Sequence, residues 1–331
     1  EHLPMPGRSS ISWTELYGPL TVDPELAQGE DWQQATSAAE KALQQVFPRE
    51  QTEAIHNQIM EQLDGKQGEL LEVGEGWALV DQILYGEDFV NPGLQFPRRR
   101  LGAQEKMWLN LLEKKQLPCP DPEVSPLSYQ TGKDWCDRIA SSIDAGDSRH
   151  WFGYYQYGVS LSREGQWEAA VEAFENSLTC KENPWALRCL AVIKQREDEK
   201  EQAADLYLKA VQLLLERNLV IEALAALQVT GRSADIISLY DRLPGNLRND
   251  GRIKVYLVEA MLDQGMLEDS EKLLSRSFRL NDIREGEIKL TDLWFRLCAL
   301  KHYPGQKLTE SLLETVRQAF PPPAHLDFRM H

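Results

Sequence analysis

Residues 154–178 read Tyr154-Tyr155-Gln156-Tyr157-Gly158-Val159-Ser160-Leu161-Ser162-Arg163-Glu164-Gly165-Gln166-Trp167-Glu168-Ala169-Ala170-Val171-Glu172-Ala173-Phe174-Glu175-Asn176-Ser177-Leu178. The spacing predicts two helices joined by a turn. Tyr154, Tyr157 and Leu161 recur at threes and fours on the first helix, and Trp167, Phe174 and Leu178 at sevens and fours on the second. Gly165 sits where a helix ends in the left-handed conformation that glycine adopts without a Cβ penalty. Gly158 in a helix interior costs about 1 kcal/mol against alanine, a cost that makes sense where another backbone approaches, and Ala170 is the matching small residue. Asn183-Pro184 is read as the stop of the second helix. A unit this short cannot bury its apolar face alone, so one copy predicts a stack of neighbours.

The period repeats along the chain. Gly231 lies 66 residues after Gly165 and Gly265 a further 34 on. The intermediate unit is expected to turn at Glu199, with Ala204, Leu208 and Val211 on its second helix. The third unit runs through Leu224 and Leu227 to Gly231, then Ile236, Tyr240, Leu243 and a Pro244-Gly245 stop. The fourth uses Tyr256, Ala260 and Gly265, then Leu273, Leu274 and Phe278. An ordinary helical bundle with accidental periodicity is the alternative.

The quoted stretch resembles the tetratricopeptide repeat (TPR): small at the eighth position, Gly at the turn, Ala at the twentieth and an aromatic at the twenty-fourth. It departs at the twenty-seventh, where Ser177 replaces alanine, and its closing proline, Pro184, comes late. The resemblance implies an all-α, right-handed superhelical α-solenoid, with TPR-like pairs over 147–280. The first helix of each pair would then line a concave groove, presenting Tyr155, Gln156, Ser162, Arg188 and Gln195.

The chain has 331 residues, 42% of them hydrophobic, and a formal net charge of −16. That acidity argues against nucleic acid and anionic membrane surfaces as partners, and makes a basic segment the better-matched peptide. No apolar run approaches the roughly 20 residues of a membrane span. Cys119, Cys136, Cys180, Cys189 and Cys298 are scattered without a CxxC pair, so they read as free buried thiols rather than zinc ligands. The opening Glu1-His2-Leu3-Pro4 suggests that further sequence lies upstream.

The first half reads as irregular helices. Residues 1–30, with Pro4, Pro6, Pro19 and Pro24, are expected to be extended. From 31 to 146 follow a helix with Trp32, Ala35, Ala39, Leu43 and Val46 on one face, a second through Ile55, Ile59 and Leu63, and a third over about 67–85. Two more carry Trp108 to Leu112 and Trp135, Ile139 and Ile143. The stretches 86–102 and 117–128, the latter with Pro118, Pro120, Pro122 and Pro126, are expected to be long loops of the kind that carry contacts. Over 281–331, Asp282 to Glu287 is expected to cap a helix N-terminus, and the tail from Pro321 to fold back over the last repeat as a cap.

Candidate chemistry is sparse. In Gly74-Glu75-Gly76-Trp77 a carboxylate beside an indole could serve a sugar, or the glycines could permit a helix contact. Arg98-Arg99-Arg100 could pair with phosphate or lie solvated on the surface. Arg284 and Glu285 are a weaker binding pair. The six histidines show no HExxH spacing, there is no GxSxG, and no catalytic constellation is legible. No cofactor or metal is implied.

Asp282 to Glu287, Asp292-Leu293-Trp294-Phe295 and Asp327-Phe328-Arg329-Met330 further resemble the C-terminal region of bacterial multidomain proteins in which a large β-rich domain precedes TPR repeats. That resemblance implies a cytoplasmic protein. The functional expectation is a non-catalytic module that holds a peptide, or another domain of the same polypeptide, on its concave face. The alternative is the helical accessory part of a carbohydrate-active protein.

Overall fold

A computed structural model describes residues 4–6, 9–63, 66, 69, 71, 76–86, 89, 94, 96–275, 278–280 and 286–329. Among them every regular element is helical and no strand occurs. The chain divides into two compact units, Glu1–Leu101 and Gly102–His331.

The first unit holds α1 (Pro24–Ala27), α2 (Trp32–Val46), α3 (Arg49–Leu63), α4 (Trp77–Tyr85) and a 3-10 turn at Arg98–Arg100. α1 interrupts the stretch expected to be extended: Asp23 caps it and Pro24 occupies its first turn, where a missing N–H costs nothing. α4 starts later than the sequence suggests, because 66, 69 and 71 are not helical. α2 does present Trp32, Leu43 and Val46, but they stay exposed, and no side chain of α1, α2 or α3 is buried.

The second unit begins with α5 (Ala103–Lys114) and α6 (Lys133–Ala145), whose Trp108 and Trp135 rings meet edge-on at 5.3 Å. Four helical pairs follow: α7 (Trp151–Arg163) with α8 (Trp167–Cys180), α9 (Pro184–Arg196) with α10 (Lys200–Leu213), α11 (Arg217–Val229) with α12 (Ser233–Arg242), and, after the short α13 (Gly245–Arg248), α14 (Gly251–Asp263) with α15 (Leu267–Leu273). From α5 on, each helix packs on the one before it, with α14 packing on α12 past the short α13, and α16 (Lys289–His302) with α17 (Glu310–Ala319) completes the row.

Two sets of backbone devices fix the register. The first helix of each pair starts from a side-chain cap: His150, Asn183, Glu216 and Asp250 accept from Gly153, Ala186, Leu219 and Ile253 N–H respectively. Fifteen residues after each cap stands a left-handed residue: Gly165 (φ 76°), Asp198 (φ 63°), Gly231 (φ 68°) and Gly265 (φ 72°). Each donates its N–H to the carbonyl three back, and the following N–H reaches five back, as from Glu199 to Lys194 at 2.9 Å and Arg232 to Leu227 at 2.9 Å. The helix-end carbonyls are thereby satisfied. The intermediate turn is therefore Asp198, not Glu199; its second helix buries Ala204 and Val211 as the sequence suggests, together with Ala203 and Tyr207, while Leu208 is only partly buried. Aspartate is one of the few side chains that enters this conformation.

Packing explains the small residues. A Cβ on Gly158 would lie 2.6 Å from Phe174 Cε1, so a ring rather than a backbone makes the close approach. At the equivalent positions Ala191, Tyr207 and Leu224 are buried in one core cluster, against which Tyr240 is only partly buried. Ser177 also has a reason: buried, it donates to the Trp151 carbonyl at 2.7 Å and accepts from Asn183 Nδ2 at 3.1 Å. Pro184 does not close α8. It opens α9 in the first turn, behind the Asn183 cap.

Ion pairs link the second, third and fourth pairs and α16 in turn: Arg188 to Glu222, Arg217 to Asp250, Arg232 to Asp205, and Lys289 to Glu259. Most are partly exposed and worth about 0–1 kcal/mol each, so the apolar core carries the stack. Leu326 of the tail is fully buried among Val255, Val258, Leu290 and Leu293, and His325 Nε2 lies 3.1 Å from the Leu274 carbonyl. The tail thus folds back as expected. The capping role read for Asp282 to Glu287 falls mostly on 281–285, outside the described residues; α16 begins at Lys289, and Glu287 faces Arg252.

Replacing Asp198 with Gly should raise stability by about 0.5–1 kcal/mol, and Gly231 with Ala should lower it by about 1–2 kcal/mol. Urea denaturation of the two variants beside the parent chain measures both.

Candidate functional site: a proline-rich loop on the repeat helices

Residues 117–128 form the loop read from the sequence, and it is docked rather than free. It leaves α5 at Lys115, which is left-handed at φ 58°. Leu117, 1% exposed, donates its N–H to Ser148 Oγ at 2.9 Å, and its carbonyl lies 3.3 Å from His150 Nε2. The Pro120 carbonyl accepts from the Trp151 indole at 2.9 Å, and the Pro122 carbonyl from the Trp185 indole at 2.8 Å. The chain turns at 121–124, where Val124 N–H meets the Asp121 carbonyl. On its return, Ser128 Oγ accepts from the Trp108 indole at 2.9 Å, and the Ser128 carbonyl from Gln156 Nε2 at 2.9 Å.

Three indoles and one carboxamide thus hold the loop, and three of the four address main-chain carbonyls. Such donors read an extended backbone with little regard for its side chains. Proline suits the acceptor side, because it offers a carbonyl and leaves no N–H to satisfy.

Beyond the loop tip lies a cavity of about 250 Å³, lined by Ser125, Pro126, Ser128 and Tyr129 of the loop region, Tyr155 of α7, Trp185 and Arg188 of α9, and Glu216, Asn218, Leu219 and Glu222 of α11. Arg188 is committed: its Nε and Nη2 each lie 2.6 Å from a different oxygen of Glu222. The Glu222 hydrogen bonds hold that guanidinium charged against the opposing effect of burial. Burial also pushes the Tyr155 phenol far above its ordinary range, so it remains a neutral donor.

The structure brings together three of the expected groove residues. Tyr155 and Arg188 line the cavity, and Gln156, fully buried, holds the loop. The other two lie apart. Ser162 turns back to the Gly158 carbonyl at 2.8 Å, and Gln195 is exposed near Tyr207. In the first unit Trp77 is partly buried at the start of α4, and Glu75 lies outside the described residues, as do Arg284 and Glu285. Arg98, Arg99 and Arg100 are all exposed. Cys119 and Cys180 are exposed too, so the thiols are not uniformly buried.

Sequence reading missed Trp151, Trp185 and Trp108 as donors and Glu222 as the partner of Arg188. The available signal was a proline-rich stretch preceding helices that open on tryptophan. Comparison with protein-family models, curated proteins and solved structures gives no match.

Two outcomes follow. Trp185→Phe removes the donor to Pro122 and should cost about 1–3 kcal/mol, with faster limited proteolysis inside 119–128. The second concerns His150, whose Nδ1 accepts from Gly153 N–H and which burial holds below its ordinary value of 6.5. A lowered folded value favours the neutral ring, so its contribution is full above the unfolded value and is lost as pH falls through the folded one. Denaturation midpoints should drop between pH 7 and 5 more for the parent chain than for His150→Asn, which keeps a cap but does not titrate. Asp250 and Asp263, whose carboxyls lie below their ordinary 3.8, respond only at lower pH.

Proposed function

We propose that this chain is a non-catalytic interaction module of TPR-like helical pairs, and that the first helices of its pairs line a superhelical trough for an extended polypeptide segment. The observation that carries the reading is the docked loop. The face formed by α7 and α9 already holds a proline-rich segment of the same chain through its main-chain carbonyls. A surface equipped with buried indole and carboxamide donors is suited to polypeptide rather than to a small substrate. The equal 33–34 residue advance of caps and turns supports a TPR-like geometry. A bacterial, cytoplasmic scaffold remains the setting that the sequence resemblance implies. No helix among the described residues is long and apolar enough to cross a membrane.

A displayed library of random twelve-residue peptides tests this. Selection on the intact chain should enrich peptides that bind it in solution. Tyr155→Ala should weaken them at least tenfold, and Glu268→Ala, on the exposed side of α15, should not. A library that yields no binder, or binders indifferent to Tyr155, would sink the reading.

A further inference from the structure

The cavity at the loop tip carries more than the helical row requires. Resting on the interaction reading above, we infer that it is the seat for one basic side chain, a lysine or arginine, of the bound segment.

Its charge is unbalanced. Among the described residues of its lining Arg188 is the one cation, and both its arms are taken by Glu222. Glu216 has no basic partner among the described residues; one of its oxygens accepts from Leu219 N–H at 3.0 Å. A carboxylate has about four acceptor positions, so Glu216 keeps capacity for a further donor. The lining therefore carries one net negative charge.

Its walls are aromatic. Tyr129, Tyr155 and Trp185 contribute rings, and a cation against such faces gains about 0.5–2 kcal/mol. Tyr155, only 9% exposed, lines the cavity, and its hydroxyl makes no hydrogen bond among the described residues. It can donate to a carbonyl flanking the seated side chain. An anionic group would instead meet Glu216 and Glu222 and find the only guanidinium already occupied. The acidity of the whole chain, −16, steers the same class of partner.

The test follows the Trp185 indole signal in a ¹⁵N-labelled intact chain, assigned by its loss in Trp185→Phe. Acetyl-argininamide and acetyl-lysinamide should shift it saturably, with at least fivefold weaker binding in Glu216→Gln. That variant retains a side-chain oxygen for the Leu219 cap, and its denaturation midpoint checks that it folds. Tyr155→Phe should weaken both probes about twofold or more, and raised salt should weaken them further. A shift of equal size with the amide of acetyl-glutamate, no saturable shift with either basic probe, or indifference to Glu216→Gln would overturn the assignment. Library peptides that bind through Tyr155 but lack basic residues would overturn it too, while leaving the interaction reading intact.

Discussion

The interval from a side-chain cap to a left-handed residue governs the second unit. Between His150 and Gly165, and again at Asn183, Glu216 and Asp250, the chain has room for one helix of about 13 residues before it must turn. The cap satisfies N–H groups at one end and the left-handed turn satisfies carbonyls at the other. Helix length is thereby set locally, and the next helix returns beside the first. Everything larger is built on that: the ring of Phe174 lying over Gly158, the ion pairs one step apart, and the row that the tail closes with Leu326.

The same regularity creates the site. Because α7 and α9 start at equivalent points, Trp151 and Trp185 stand near the same end of adjacent helices and reach carbonyls only two residues apart in the loop. Tyr155 and Arg188 occupy matching places one turn further along, and the cavity opens beside them. The Arg188–Glu222 pair ties α9 to α11 across its wall. The anchorage of the loop grows out of the repeat itself rather than from a separate insertion.

Legibility followed the locality of the physics. The turns at Gly165, Gly231 and Gly265 could be read because glycine is the residue that enters a left-handed turn most cheaply. The turn at Asp198 was misplaced by one residue, since aspartate takes that conformation without advertising it. The caps were missed for a related reason: histidine, asparagine, glutamate and aspartate do one job at one spacing, so no single letter recurs. Helix position singles out Tyr155, Gln156 and Arg188, which lie beside the loop and the cavity, and by the same logic Ser162 and Gln195, which lie away from it. The loop was recognised as a loop, but nothing in its letters gave its place.

Alone, then, the sequence determined helical pairs, their advance and an acidic surface, because periodicity and turn chemistry act over a few residues. Tertiary structure decided where the proline-rich segment rests, which tryptophans hold it and how Arg188 is spent. The bonds that settle those points join residues 20 to 63 positions apart, and several end on main-chain carbonyls. Every residue carries such a carbonyl, so the code has no letter for the one that will be used.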